Sequence, residues 1–231
     1  MHVRARMLTG MNAFDEPEGI NPRGTVLVAA GRGETADAYQ RFGRRIAADG
    51  YRVRILPDVT ADLAESFAEA GKLLVDDGLP APRVVVGSDT GALFARTLAA
   101  RGAPGLDGLV LAGLPVQRAP AGINLLSWDA ELDARTGCPA HRGVLTSSLF
   151  SALIPTELVG LIGDVTVPTL GLHGADDPIS PLDQAAPAYP GDVTVINGGK
   201  HDVLNDLSHR TVAATVVIFL ERLRNGAAII R

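Results

Sequence analysis

VVVGSDTGALFA, residues 84 to 95, joins an apolar run to a helix-like segment through a turn bracketed by glycines. The run RVVVGS (83–88) has no polar face, which predicts a central strand covered on both sides. A helix is expected from about residue 90 to 101. Gly87 and Gly91 flank Asp89 as G-x-D-x-G. This is the layout of a nucleophile elbow, a strained strand-to-helix turn that pushes its middle side chain outward. The usual centre of such a turn is serine; here it is aspartate. Taken alone, the simpler reading is that Asp89 caps the helix after it, a position aspartate favours.

Apolar runs and helical segments alternate on either side of this turn, the signature of a parallel sheet flanked by helices. Before it come TVLVAA (25–30), the turn GRGE (31–34) and a helical stretch over 35–49 carrying Tyr39, Phe42, Ile46 and Ala47. YRVRIL (51–56) follows, then a helix over 60–77 with Thr60 as N-cap and a stripe of Leu63, Phe67, Ala70 and Leu74. After the turn, LDGLVLAG (106–113) reads as another buried strand. Residues 114–164 then break the rhythm with Pro115, Pro120, Pro139 and Pro155, leaving short helical pieces at 127–136 and 155–162. Alternation resumes with VPTLGLHG (167–174), a short helix near 181–187, VTVIN (193–197) and a last helix over about 204–224. The excursion is too short for a core of its own, so one domain is expected across 1–231.

Composition narrows the class. The chain has 231 residues, 46% hydrophobic and 20% charged, which suits one packed core and excludes wholesale disorder. A single cysteine cannot form an internal disulfide. The formal net charge of -5 gives no electrostatic reason for nucleic acid or an anionic membrane as partner. There is no apolar run of about 18 residues and no leader-like start, so a cytoplasmic protein acting on a small molecule is expected. Basic charge is nearly all arginine, Lys72 and Lys200 being the lysines, and Arg41, Arg44 and Arg45 read as a solvated helix face.

Two more strand ends carry polar groups at the edge where open α/β sheets bind ligands. TLGLHGADDPIS (169–180) offers Asp176 and Asp177 as a buried acid, or as members of an ordinary turn. NGGKHDVLND (197–206) places His201 in a glycine-rich loop before the last helix. Nucleophile, acid and histidine then follow in the order 89, 177, 201, each after a strand.

With that order the chain resembles the α/β-hydrolase fold family over 24–224, and in particular its monoacylglycerol-lipase or serine-aminopeptidase-like branch. The branch has an H-G-x-G-E turn, matched here by Ala30-Gly31-Arg32-Gly33-Glu34. Its H-x-x-L-N-E context is matched by His201 through Asp206, and its H-G-x-x-D pattern by His173 through Asp177. The resemblance implies an α/β fold with a mostly parallel twisted sheet, helices on both faces and a small cap insertion at 114–164. It selects Asp177 as the acid. It also implies an oxyanion hole from the backbone N–H groups of Arg32 and Thr90, suited to a developing negative charge.

Aspartate at the elbow resembles the haloalkane dehalogenases and epoxide hydrolases. An ionised carboxylate can attack an sp³ carbon without a base. The alkyl-aspartyl ester would then fall to water activated by His201, with Asp177 orienting the ring. An ordinary carboxylic ester is a poor target, because attack would form an anhydride less stable than the substrate. The dehalogenase tryptophan after the aspartate is replaced by Thr90, and the excursion has no tyrosine to resemble the epoxide-hydrolase donors; its aromatics are Trp128 and Phe150. Arg135, Cys138 or His141 could serve the leaving group, or Arg135 and His141 could only pin the excursion to the body. Ser88 and Trp128 complete the candidate substrate contacts, although Ser88, one residue before the apex, should face away from His201. Cys138 reads as a small buried residue. No metal-ligand spacing links His2, His141, His173, His201 and His209, there is no phosphate loop, and no cofactor is expected. Two other outcomes stay open on the same scaffold: a lyase, isomerase or epimerase using Asp89 or His201 as a proton shuttle, and an inactive binding protein.

Overall fold

Strand Arg83–Ser88 (β4) lies at the centre of a seven-stranded sheet in a computed structural model that describes residues 13–115, 127–145, 154–159 and 163–227. Its neighbours are Gly24–Ala29 (β2) and Gly108–Ala112 (β5). Beyond β2 come Tyr51–Ile55 (β3) and the two-residue strand Ala13–Phe14 (β1). Beyond β5 come Thr169–Gly174 (β6) and Val193–Ile196 (β7). Every pair is parallel except β1 with β3, giving the order β1-β3-β2-β4-β5-β6-β7.

The period-2 alternation of each strand sends its side chains to two separate cores. On one face Val26, Val28, Val53, Ile55, Val84 and Val86 pack under helices Gln40–Ala48 (α1) and His209–Asn225 (α7), through Phe42, Ile46, Val212, Val216 and Leu220. On the other, Leu27, Val85, Leu109 and Leu111 pack under Leu63–Leu74 (α2) and Thr90–Ala100 (α3), through Ala70, Leu74, Phe94 and Leu98. The expected parallel sheet with helices on both faces is therefore present. No helix among the described residues is long and apolar enough to cross a membrane.

Several boundaries differ from the sequence expectation, each for a local reason. The helix expected over 35–49 begins as a 3-10 turn, Ala36–Tyr39, before α1. The cap of α2 is Asp62, which accepts from the Glu65 N–H at 2.9 Å; Thr60 instead bonds to the Asp58 carboxylate. The last helix starts at His209, because residues 202–206 turn back on the Asp202 carbonyl. Of the helical piece expected at 155–162, Thr156–Leu158 forms one 3-10 turn, while 160–162, like His2, Pro120 and Phe150, lie outside the described residues.

Within the excursion, Trp128–Arg135 (α4) is capped by Ser127, and Pro139–Arg142 (α5) follows after a short turn. Between β6 and β7 stands Leu182–Ala185 (α6). The excursion is tied to the His201 loop by backbone and side chain together. Asp202 N–H donates to the Arg135 carbonyl at 3.0 Å, and Thr136 Oγ1 and the Gly137 N–H both donate to Asp206 Oδ1 at 2.8 Å.

The elbow is a close approach of backbones. A Cβ on Gly87 would stand 2.1 Å from the Gly91 carbonyl oxygen, and one on Gly91 would stand 2.0 Å from that of Ala29. Gly91→Ala is therefore expected to lower unfolding free energy by about 3 kcal/mol or more. Gly71→Ala, in α2 with nothing within 4 Å, should raise it by about 0.5 kcal/mol. Urea denaturation of the two variants measures both; an unchanged midpoint for Gly91→Ala would show that the backbones can part without cost.

Candidate active site

Asp89 occupies the tip of the β4–α3 turn with φ 49° and ψ −120°, the one non-glycine residue at positive φ among those described. Such a conformation costs about 1–3 kcal/mol and persists only where its surroundings impose it. Here the carbonyl of Ala112 takes the Asp89 N–H at 3.0 Å, and the Asp89 carbonyl takes that of Ala92 at 2.9 Å. The side chain stands at the N-cap position but makes no capping hydrogen bond. The simple capping explanation of Asp89 is thereby set aside. Its carboxylate turns instead toward three other segments.

Oδ2 of Asp89 accepts from the Arg32 N–H at 3.1 Å and from Arg135 Nη2 at 2.8 Å. Oδ1 lies 3.4 Å from His201 Nε2. On the far side of the imidazole, Nδ1 donates to Asp177 Oδ2 at 2.7 Å. Asp177 is fixed in turn by the N–H groups of Ile179 and Ser180, which donate to Oδ1 at 2.8 and 2.9 Å. Asp176 is exposed, so the two acids of the turn separate cleanly. Beneath them His173 bonds the Ser180 carbonyl and the Tyr189 hydroxyl through its two ring nitrogens, which steadies the strand end that carries Asp177. Three loops distant in sequence thus bring Asp89, His201 and Asp177 into one line.

Charge sets the protonation states. Burial alone would raise the Asp89 carboxyl, but the Arg135 charge, then His201 and Arg32, outweigh it and hold it well below the usual carboxylate range. Burial opposes a charged His201, yet Asp177 and then Asp89 overcome this and push its pKa up to about 10. These charges favour the carboxylate form of Asp89 and the imidazolium form of His201.

Around this line lies a second layer that spacing along the chain did not reveal. Arg135, wholly buried, gives Nε to Glu131 at 2.9 Å, Nη1 to Asp202 at 2.8 Å and Nη2 to Asp89. Glu131 also receives Arg32 Nη2 at 2.7 Å. His141 Nε2 pairs with Asp202 Oδ2 at 3.0 Å and lies 3.7 Å from Glu34 Oε1. Glu34 Oε2 accepts from the Gly31 N–H at 2.9 Å and from the Tyr39 hydroxyl. His141 thus sits among the acids that tie the excursion to the body, while Arg135 does this and also touches Asp89. Trp128 packs on Leu132 and Leu145, and Ser88 is buried beside the Tyr39 hydroxyl. Cys138 is buried and receives Arg41 Nη1 on its sulfur at 3.5 Å. Thr90 is buried as the first residue of α3.

Glu34, His141 and Asp202 form the one set of three metal-capable groups among the described residues, their ligand atoms within 4.8 Å of one another. They come from three separate elements, which is why residue spacing gave no sign of them. Burial, then the Asp202 charge, pushes the Glu34 carboxyl up, favouring a proton on this acid. Asp202 overcomes the effect of burial to raise His141, whose ring proton lies toward Asp202 Oδ2.

No protein-family model and no curated protein matches the chain. Solved structures do. The monoacylglycerol lipase of Paleococcus ferrophilus superposes with a TM-score of 0.68 at 14% identity, over 93% of this chain and 98% of that one. A thermostable carboxyl esterase from Bacillus coagulans gives 0.67 at 16% identity, over 93% and 94%. The proline iminopeptidase of Mycobacterium smegmatis gives 0.65 at 18% identity, over 94% and 95%. With the sheet order and the elbow described above, these similarities identify the architecture: the chain has the α/β-hydrolase fold, similar in form to the monoacylglycerol-lipase branch.

Proposed function

We propose that the chain is a hydrolase of small organic substrates that works through an alkyl-aspartyl ester on Asp89. The observation that carries this reading is the division of labour between the two carboxylate oxygens. Oδ2 is held by the Arg32 N–H and Arg135, while Oδ1 faces His201 across 3.4 Å. In the first step Oδ1 attacks an sp³ carbon and the leaving group departs with its bonding electrons, so the substrate must carry a good leaving group, as a haloalkane or an epoxide does. In the second, His201 Nε2 takes a proton from water and the hydroxide attacks Cγ of the ester. The tetrahedral oxyanion develops on Oδ2, where the Arg32 N–H stands and the Thr90 N–H, at the start of α3, would join it. Collapse breaks the Cγ–Oδ1 bond, the departing alkoxide takes the proton from His201 to become the alcohol, and the new carboxyl returns its proton to the ring, restoring the carboxylate.

The electrostatics favour this order. Ester formation deletes the charge of Asp89, one of the two anions that raise His201. The ring then gives up its proton more readily, to the alkoxide of an opened epoxide or to solvent when the leaving group is a halide, and presents a neutral Nε2 when water must be activated. Asp177 remains to hold the imidazole through Nδ1. The lipase, esterase and peptidase activities named for the similar structures support hydrolysis as the reaction class. One observation favours a second reading, a charge network that fastens the excursion without turnover: Asp89 is only 3% exposed and is paired with Arg135.

Single turnover in ¹⁸O-labelled water, over a panel of epoxides and haloalkanes, should place the label in the peptide containing Asp89. Product formed without that label would exclude the ester, and no product from any member would favour the second reading. His201→Gln should accumulate an adduct on Asp89, seen as a mass increase of the alkyl group less one hydrogen for a haloalkane, or of the whole molecule for an epoxide; an active substrate that leaves no adduct argues against the second step. Asp89→Asn mimics the neutralised ester, so His201 should titrate below the value of about 10 of the unmodified chain. The imidazolium would then be lost at lower pH as pH rises, which the Cε1–H resonance follows by NMR; an unshifted titration would remove the coupling between the two groups.

A further inference from the structure

Arg41, Arg44 and Arg45 lie on α1, and such a run on one helix is ordinarily a solvated face. Folding brings a second basic element to it. α1 and α7 pack on the same face of the sheet, and the first two residues of α7, His209 and Arg210, reach the α1 arginines from more than 160 positions away. With Ala48 and Asp49 they line an open groove of about 670 Å³. Four guanidiniums and an imidazole there face one acid, Asp49, in a chain whose formal net charge is -5.

These arginines are not equally occupied. Arg41 is spent on structure, with Nη2 on the Asn205 carbonyl and Nη1 on Cys138. Arg44 gives one nitrogen to Gln40 at 2.6 Å. Arg45 and Arg210 are exposed and have no ion-pair or hydrogen-bond partner among the described side chains. Gathering like charges costs free energy unless a counter-charge is supplied. The field is felt locally: burial, then Arg41, Arg210 and Arg45, lowers the pKa of His209.

We propose that this groove binds a small ligand carrying at least two phosphate groups, held by Arg44, Arg45 and Arg210. Guanidinium matches phosphate with paired, charge-assisted hydrogen bonds, and arginines on two different helices can grip two groups at once. The groove's size falls within the range of small-molecule sites, about 300–1,000 Å³. The N-terminal end of the 17-residue α7, whose Ser208 side chain makes no capping bond, adds a favourable dipole for an anion. Nucleic acid is the weaker candidate, because this basic cluster is one groove on an acidic chain, without a longer basic track to follow a backbone. The inference is independent of the chemistry at Asp89.

Isothermal titration of the full chain with sodium pyrophosphate, at about 50 mM salt where screening is weak, tests it. One saturable site is expected, with inorganic phosphate at least about tenfold weaker because it satisfies fewer guanidiniums. The double variant Arg45→Glu/Arg210→Glu should lose about a hundredfold in affinity while its thermal midpoint and far-ultraviolet dichroism stay unchanged. Arg45→Gln/Arg210→Gln serves the same purpose if charge reversal disturbs folding. No saturable heat with pyrophosphate, or equal affinity in these variants, overturns the proposal. So does tighter binding of a single-stranded oligonucleotide that strengthens with its length, which would make the groove part of a nucleic-acid surface.

Discussion

A single buried guanidinium organises the described site. Arg135 presents three nitrogens to three carboxylates that belong to different parts of the molecule: Glu131 on its own helix, Asp202 beside the site histidine, and Asp89 on the elbow. Removing such a cation from a buried network costs about 3–5 kcal/mol, because each acid it served is left charged and dry. The same contact fixes α4, orients Asp202 toward His141, and keeps one oxygen of Asp89 turned from the ring. Cap, loop and elbow share one electrostatic solution.

The sheet supports this arrangement by holding each partner at a strand end. Asp89 follows β4, Asp177 follows β6 and His201 follows β7, so all three emerge at the carboxyl edge where parallel strands leave an open margin. Arg32, after β2, joins them at the same edge. Each approach is short because glycines allow it, and Gly91 against the Ala29 carbonyl is the tightest case.

Most of this was legible in the residues. The parallel sheet could be read from runs such as RVVVGS, whose lack of a polar face requires burial on both sides. The line Asp89, His201, Asp177 could be read from its order and from the strand preceding each member. Two kinds of feature escaped. Helix starts shifted where a side chain was engaged elsewhere: Thr60 bonds Asp58 instead of capping α2, and Asp206 is drawn to Thr136, Gly137 and Lys200 before α7 begins. The ion network around Arg135 escaped because its members stand at 34, 89, 131, 141 and 202. Pairing across such distances follows from how the excursion folds back, and no local periodicity encodes that. Arg135 and His141 could be singled out as candidates, yet Glu131 and Asp202 carry no signal of their own beyond being acids in an apolar setting.

The elbow and the network place different demands on position 89. Backbone geometry there is imposed by Gly87, Gly91 and the Ala112 carbonyl, and is indifferent to the side chain it displays. Arg135 is not indifferent. A neutral serine at position 89 would keep the turn but leave the guanidinium one anion short. The identities of residues 89 and 135 are therefore coupled through charge: with serine at 89 the wholly buried Arg135 keeps two carboxylates instead of three, so a change at one of the two positions alone unbalances the charge that a change at both could restore.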